Sequence, residues 1–170
     1  MTTIGHSLTG VSIAVLTLPR GRSFLWYLVA GHLFVFFANI PDYPFPGWGH
    51  GAYQVSHSIF LAALLASLIG SLRLIPEINA RISGTMFLAF SAAWLTHMPL
   101  DSIYSHGHGI GIFWPFSDAH LAMPIRWFDT LTWPPKSDHN LRVFATEAIV
   151  YSTVLVLCVI ARRAHNGTAK

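Results

Sequence analysis

Five residues of the kinds that hold metal ions punctuate the apolar stretches of this chain: His6, Asp42, His57, His97 and Asp101. They are spread over nearly the first two thirds of the sequence. His97-Met98-Pro99-Leu100-Asp101 is an i,i+4 pair, and that spacing places both side chains on one face of a helix. Neutral imidazole nitrogens and carboxylates brought to tetrahedral range suit zinc, and a carboxylate can bridge two ions. Near a membrane such groups are costly unless they are paired or functional. The alternative for each is an interfacial polar residue facing headgroup water. Pro99, inside the pair, is expected to kink the helix or end it early.

The elements that must position these residues are hydrophobic. The chain has 170 residues, 53% of them hydrophobic and 10% charged. Soluble domains carry about 25% charged residues, so an ordinary soluble globular domain is excluded. Five apolar segments stand out, at 4–18, 24–40, 58–75, 82–100 and 141–161. The reading is an all-α, polytopic membrane helix bundle, forming a single domain over 1–170. Pro19-Arg20-Gly21, Pro41-Asp42-Tyr43-Pro44 and Pro76 separate the segments. Ser56 is expected to cap the third helix and Asp138 the fifth. No basic residue precedes Arg20, so the first segment does not read as a signal peptide. The connection between the fourth and fifth helices, 102–139, is too long for a turn, and a function is expected of it.

Tracing five crossings puts Arg20, Arg22, Arg73, Arg81, Arg162, Arg163 and Lys170 on one face, and Arg126, Lys136 and Arg142 on the other. The excess marks the first face as cytoplasmic. The long connection is then extracytoplasmic, and His6, Asp42, His57, His97 and Asp101 all fall at the outer ends of their helices. Small residues continue three of these faces inward: His6-Gly10-Ala14, Ala62-Ala66-Gly70, and Thr85-Ala89-Ala93 below His97. Such stripes let membrane helices approach closely. Net charge is +3 with no basic run, so no nucleic-acid partner is expected. The single Cys158 excludes an internal disulfide and a cysteine-based metal site.

Gly5-His6, Pro41-Asp42, His57-Ser58, His97-x-x-x-Asp101 and Gly111-x-x-Trp114-Pro115-Phe116-Ser117 together resemble bacterial inner-membrane proteins classed as membrane-bound metal-dependent hydrolases. The order His, Asp, His, His-x-x-x-Asp, His is also similar to the zinc-dependent phospholipase C and single-strand nuclease superfamily, whose members hydrolyse phosphoesters with a zinc cluster. The resemblance covers about residues 1–120. It implies that Asp42, His57, His97 and Asp101 hold one metal, and that Asp101 bridges to a second that His6 also ligates. His106 takes the place of the later histidine, with His108 as the alternative. Asp118, His120, His139 and Glu147 are candidates for further ligands by location only. The chain departs from the family where Gln54-Val55-Ser56 replaces an arginine-glycine-threonine run.

The resulting expectation is a multi-pass protein of the bacterial inner membrane with a zinc site of two or more ions on its periplasmic face. A metal-activated water would attack a phosphoester, with a lipid headgroup as the natural substrate at that depth. Asp42 or Asp101 would orient the water. Membrane lipids are the expected partners. A metal-binding scaffold or sensor without turnover is the alternative class. A transporter fits less well, because no charged residue lies well inside the first four segments. Glu147, within the fifth segment, reads equally as a functional carboxylate and as one meeting water or Arg142. His32 reads as a packing residue, and His50, His139 and His165 as solvated. Trp114, Trp127 and Trp133 read first as an interfacial belt and second as a lid.

Overall fold

The computed structural model describes residues 1–43, 55–77, 83–104, 109–125, 127–135 and 137–167. Among them are five α-helices and no β-strand. They are α1 (Thr3–Thr17), α2 (Phe24–Asn39), α3 (Ile59–Ser71), α4 (Gly84–Ser102) and α5 (Asp138–Gly167). Single 3-10 turns extend α2 and α3, at Ile40–Asp42 and Leu72–Leu74. Two stretches, Phe24–Asp42 and Asp138–His165, are long and apolar enough to cross a membrane. A span needs about 20 apolar residues. α1 has 15 residues and α3 has 13, so neither meets that length alone. α4 has 19 but carries His97 and Asp101 in its last turns.

Each helix opens on a hydroxyl. Side chains of Thr2, Ser23, Ser58 and Ser83 accept from backbone N–H groups in the first turns of α1 to α4. Ser137 Oγ does the same for α5, accepting from Asn140 N at 3.2 Å. These hydroxyls satisfy N–H groups that have no partner within the helix. The third and fifth caps differ from expectation. Ser56 Oγ instead lies 3.1 Å from His57 Nδ1, and Asp138 sits inside the first turn rather than before it.

α1 is central, packing against α2, α4 and α5, while α2 and α3 each also pack on α4. Gly10 explains the closeness of α1 and α2. A Cβ there would stand 2.6 Å from the Phe34 carbonyl oxygen and 3.1 Å from Ala38 Cβ. Ala14, Phe34, Ala38, Ala89, Phe90 and Ala93 then close one core between α1, α2 and α4. The stripe on α3 is used only at its end nearer His57. Ala62 is buried against Trp94 and Met98, while Gly70 meets open space. Outward-facing positions are apolar, with Phe24, Leu88 and Ile149 all exposed.

The connection between α4 and α5 is folded onto the bundle without forming a strand among its described residues. Ile110 and Leu121 exchange backbone hydrogen bonds of 3.0 and 2.8 Å, and Ile110 is buried against Ala62, Trp94 and Met98. Ser58 Oγ donates to the Trp114 carbonyl, and Ile112 accepts from Ile59 N at 3.0 Å. Asn140 ties down the far end, accepting from Thr132 N at 2.8 Å and donating to Thr132 O at 2.7 Å and Pro135 O at 3.0 Å. Trp127 and Trp133 face outward, 71% and 88% exposed, so neither covers the interior.

The close approach at Gly10 is testable. Gly10→Val forces a side chain into the α2 backbone and should cost about 1–3 kcal/mol, the range for overpacking. Gly70→Val should be near neutral. Unfolding midpoints of the two variants in detergent, read by circular dichroism, check the contrast.

Candidate metal centre

Each polar group of the cluster is delivered by a different local device. His6 lies in the first turns of α1, beside the stripe that packs on α2. Asp42 ends the 3-10 turn that begins at Ile40, with Pro41 at its centre. That turn is held at its base by Asn39, whose Nδ2 donates to Ser7 Oγ at 3.1 Å and to Val35 O at 2.7 Å. His57 sits in the turn before α3. His97 and Asp101 come from α4, which runs on past Pro99 to Ser102. The helix therefore does not end at the proline, and the i,i+4 pair stays on one face.

The five side chains meet. His57 Nε2 and His97 Nε2 are 3.2 Å apart. Asp101 Oδ2 is 3.3 Å from each of them. Asp42 Oδ1 is 3.4 Å from His97 Nε2 and 3.7 Å from His57 Nε2. Five of the six edges of a tetrahedron are thus between 3.2 and 3.7 Å. Ligand bonds of about 2.0–2.1 Å to a tetrahedral ion imply edges of about 3.3–3.4 Å. The second oxygens of the same carboxylates face His6, whose Nε2 lies 3.3 Å from Asp101 Oδ1 and 3.5 Å from Asp42 Oδ2. The His6 and His97 rings are stacked, with centroids 3.6 Å apart. The Met1 ammonium donates to Asp101 Oδ1 at 2.8 Å.

Hydrogen bonding shows what the nitrogens present to one another. His97 Nδ1 is 2.9 Å from the Ala38 carbonyl, which can only accept, so Nδ1 carries the proton. A neutral ring would offer a bare lone pair at Nε2 towards two carboxylate oxygens and a second imidazole, and a protonated ring would donate from Nε2 to those oxygens. A backbone acceptor on the far nitrogen is the usual way a ligating histidine is oriented. His6 Nε2 is buried and makes no well-aligned hydrogen bond. Burial holds the His57 imidazole below its ordinary value of 6.5, which favours the neutral, ligating form.

His6, His57, His97 and Asp101 are all buried, and the Asp42 side chain is 18% exposed. Buried carboxylates of this density need compensating positive charge. His6, Asp42, His97 and Asp101 each offer one ligand atom within 4.8 Å of the others, and His57 adjoins them. The cluster could hold a metal ion.

Other candidates lie apart or outside view. His106 and His108 fall outside the described residues, as does His50. Asp118 and His120 are exposed. His139 Nε2 is engaged with the Thr130 carbonyl at 2.9 Å, and His32 Nδ1 with Leu28 O at 2.7 Å. Glu147 is buried and turned towards the start of α1, not towards water. The Ala38 carbonyl, which orients His97, left no mark in the sequence, because any residue supplies a carbonyl.

Comparison with known protein families, characterised proteins and solved structures gives no match. What defines the chain is therefore its own architecture: a helical, apolar protein with a buried His/Asp cluster at one end.

Purified protein should bind a divalent cation with at least one ion per chain. His97→Ala should weaken that binding by more than about a hundredfold, because outer-sphere partners alone account for 10–100-fold. Equilibrium dialysis with elemental analysis measures both.

Proposed function

We propose that this chain is a multi-pass membrane protein whose His/Asp cluster is a zinc centre of two ions, and that it hydrolyses a phosphoester at the outer face of the bundle. The observation that carries the reading is the double presentation of the carboxylates. Asp42 and Asp101 each turn one oxygen to the His57/His97 pair and the other to His6. That is the disposition of bridging carboxylates between two sites. The His6, Asp42, His57, His97-x-x-x-Asp101 order, similar to that of membrane-bound metal-dependent hydrolases, supports the same assignment.

Zinc bound there would supply Lewis acidity and a water acidified towards a pKa of about 7. The chain's own groups do the rest. Asp42, as the most exposed member of the cluster, stands where a substrate would approach and is the group placed to orient water. His97 is locked by the Ala38 carbonyl and keeps its Nε2 fixed. Burial of His6, His57, His97 and Asp101 strengthens electrostatic contacts within the site.

Membrane placement rests on the two long apolar helices and on what surrounds them. In the most apolar part of α5, with mean hydropathy 2.2, only 17% is buried. A soluble core helix would be mostly covered, whereas a lipid-facing helix is not. With α1 and α5 running side by side from the same end, odd numbers of crossings separate them, as five spans require. A lipid phosphoester is the substrate class that a site at the outer helix ends would meet first.

The near-complete burial of four of the five groups favours one second reading, a metal-dependent scaffold or sensor that does not turn over. Activity separates them. Protein in detergent micelles should hydrolyse a phosphoester from a panel that includes phospholipids. A chelator should reduce the rate to background, zinc should restore it, and Asp101→Ala should remain at background. A zinc-loaded protein inactive across the panel would leave the scaffold reading standing.

A further inference from the structure

Glu147 is a carboxylate in the middle of an apolar helix, only 1% exposed, and the metal centre does not include it. It meets the opening turn of α1, and the Tyr104 hydroxyl is a further side-chain partner. Oε1 accepts from Thr2 N at 2.9 Å. Oε2 accepts from Thr2 Oγ1 at 2.5 Å and from Gly5 N at 3.2 Å. The carboxylate thus meets the unsatisfied N–H groups at the positive end of the α1 dipole. Gly5 makes the approach close, because a Cβ there would stand 2.9 Å from Glu147 Oε2. The next residue is His6. At the other end of the same helix pair, the Arg162 guanidinium donates to the Val15 and Leu18 carbonyls, meeting the negative end of α1. α5 therefore holds α1 at both ends with charges of the matching sign.

We propose that Glu147 is a positioning residue for the metal centre: it sets the axial position of the first turn of α1 and thereby the place of His6 Nε2. This rests on the metal reading of the cluster. Without the carboxylate, Thr2 and Gly5 lose their acceptor in a dry interior. The turn that carries His6 then relaxes away from Asp42 and Asp101.

The test uses the full chain in detergent micelles and Co2+ as the probe, followed by its visible d–d absorption. Glu147→Gln should weaken Co2+ binding about tenfold, as loss of an outer-sphere partner does, and should alter the d–d bands as an imidazole withdraws. In a His6→Ala background the same substitution should cause no further weakening, because its effect passes through His6. Thr2→Val, which removes the hydroxyl donor together with its cap on Ile4 N, should act in the same direction, with Thr2→Asn, which keeps a capping oxygen, as its control; the pair carries the test if Glu147→Gln does not fold. Wild-type affinity and bands in these variants would overturn the proposal. So would an equal loss with and without His6, which would mark a general effect on stability. Co2+ bound by wild type, lost in Asp101→Ala and retained in Glu147→Gln would remove the positioning role and leave the metal centre standing. Wild type that binds no Co2+ would remove both.

Discussion

Three imidazoles and two carboxylates are gathered around one point in the dry end of this bundle, and the Met1 ammonium, which donates to Asp101 Oδ1 at 2.8 Å, offsets one of the two negative charges. His97 cannot relieve the other as a neutral ring, because its proton is spent on the Ala38 carbonyl. Its bare nitrogen faces oxygens of Asp42 and Asp101 at 3.4 and 3.3 Å. Lone pairs at that separation repel in a low-dielectric setting. A proton or a divalent ion between them turns the repulsion into the bond that holds four segments of the chain together. The cluster could hold such an ion, because the spacings approach the edges of a tetrahedral shell.

Much of the remaining architecture serves to keep those groups in place. The Gly10 stripe lets α1 lie close enough to α2 for Asn39 to reach Ser7. That contact fixes the turn on which Asp42 rides. α4 contributes two groups from a single helix, and the folded connection roofs it through Ile110 and Trp114. α5 contributes no group to the cluster, yet it grips both ends of α1. The apolar exterior and the polar cluster are complementary: a chain with so few charged residues has placed most of its buried ones at one end.

The sequence was most legible where the signal was local. Apolar runs and proline breaks located the first four helices to within a few residues and stopped six short of the end of α5, and the i,i+4 spacing placed His97 and Asp101 on one face. Caps were less legible because hydroxyls stood close together, as at Ser56 and Ser58, and the choice between them depended on His57 and Trp114. The length of α1 was read correctly at 15 residues, short for a span, whereas that of α3 was overestimated, since apolar residues continue past its last helical turn. Long-range partnerships were not legible. Glu147 bonds to a residue 145 positions away, and Asn140 organises a loop through backbone carbonyls that carry no sequence signature. The convergence of five residues at one end could be expected from topology, but their distances could not.

X-ray absorption at the zinc edge tests the central claim most directly, on protein loaded with zinc and freed of excess metal. The expected first shell is nitrogen and oxygen alone at about 2.0–2.1 Å, with outer-shell scattering from at least two imidazoles. A hydrated ion without imidazole scattering, or no retained zinc at all, would contradict it.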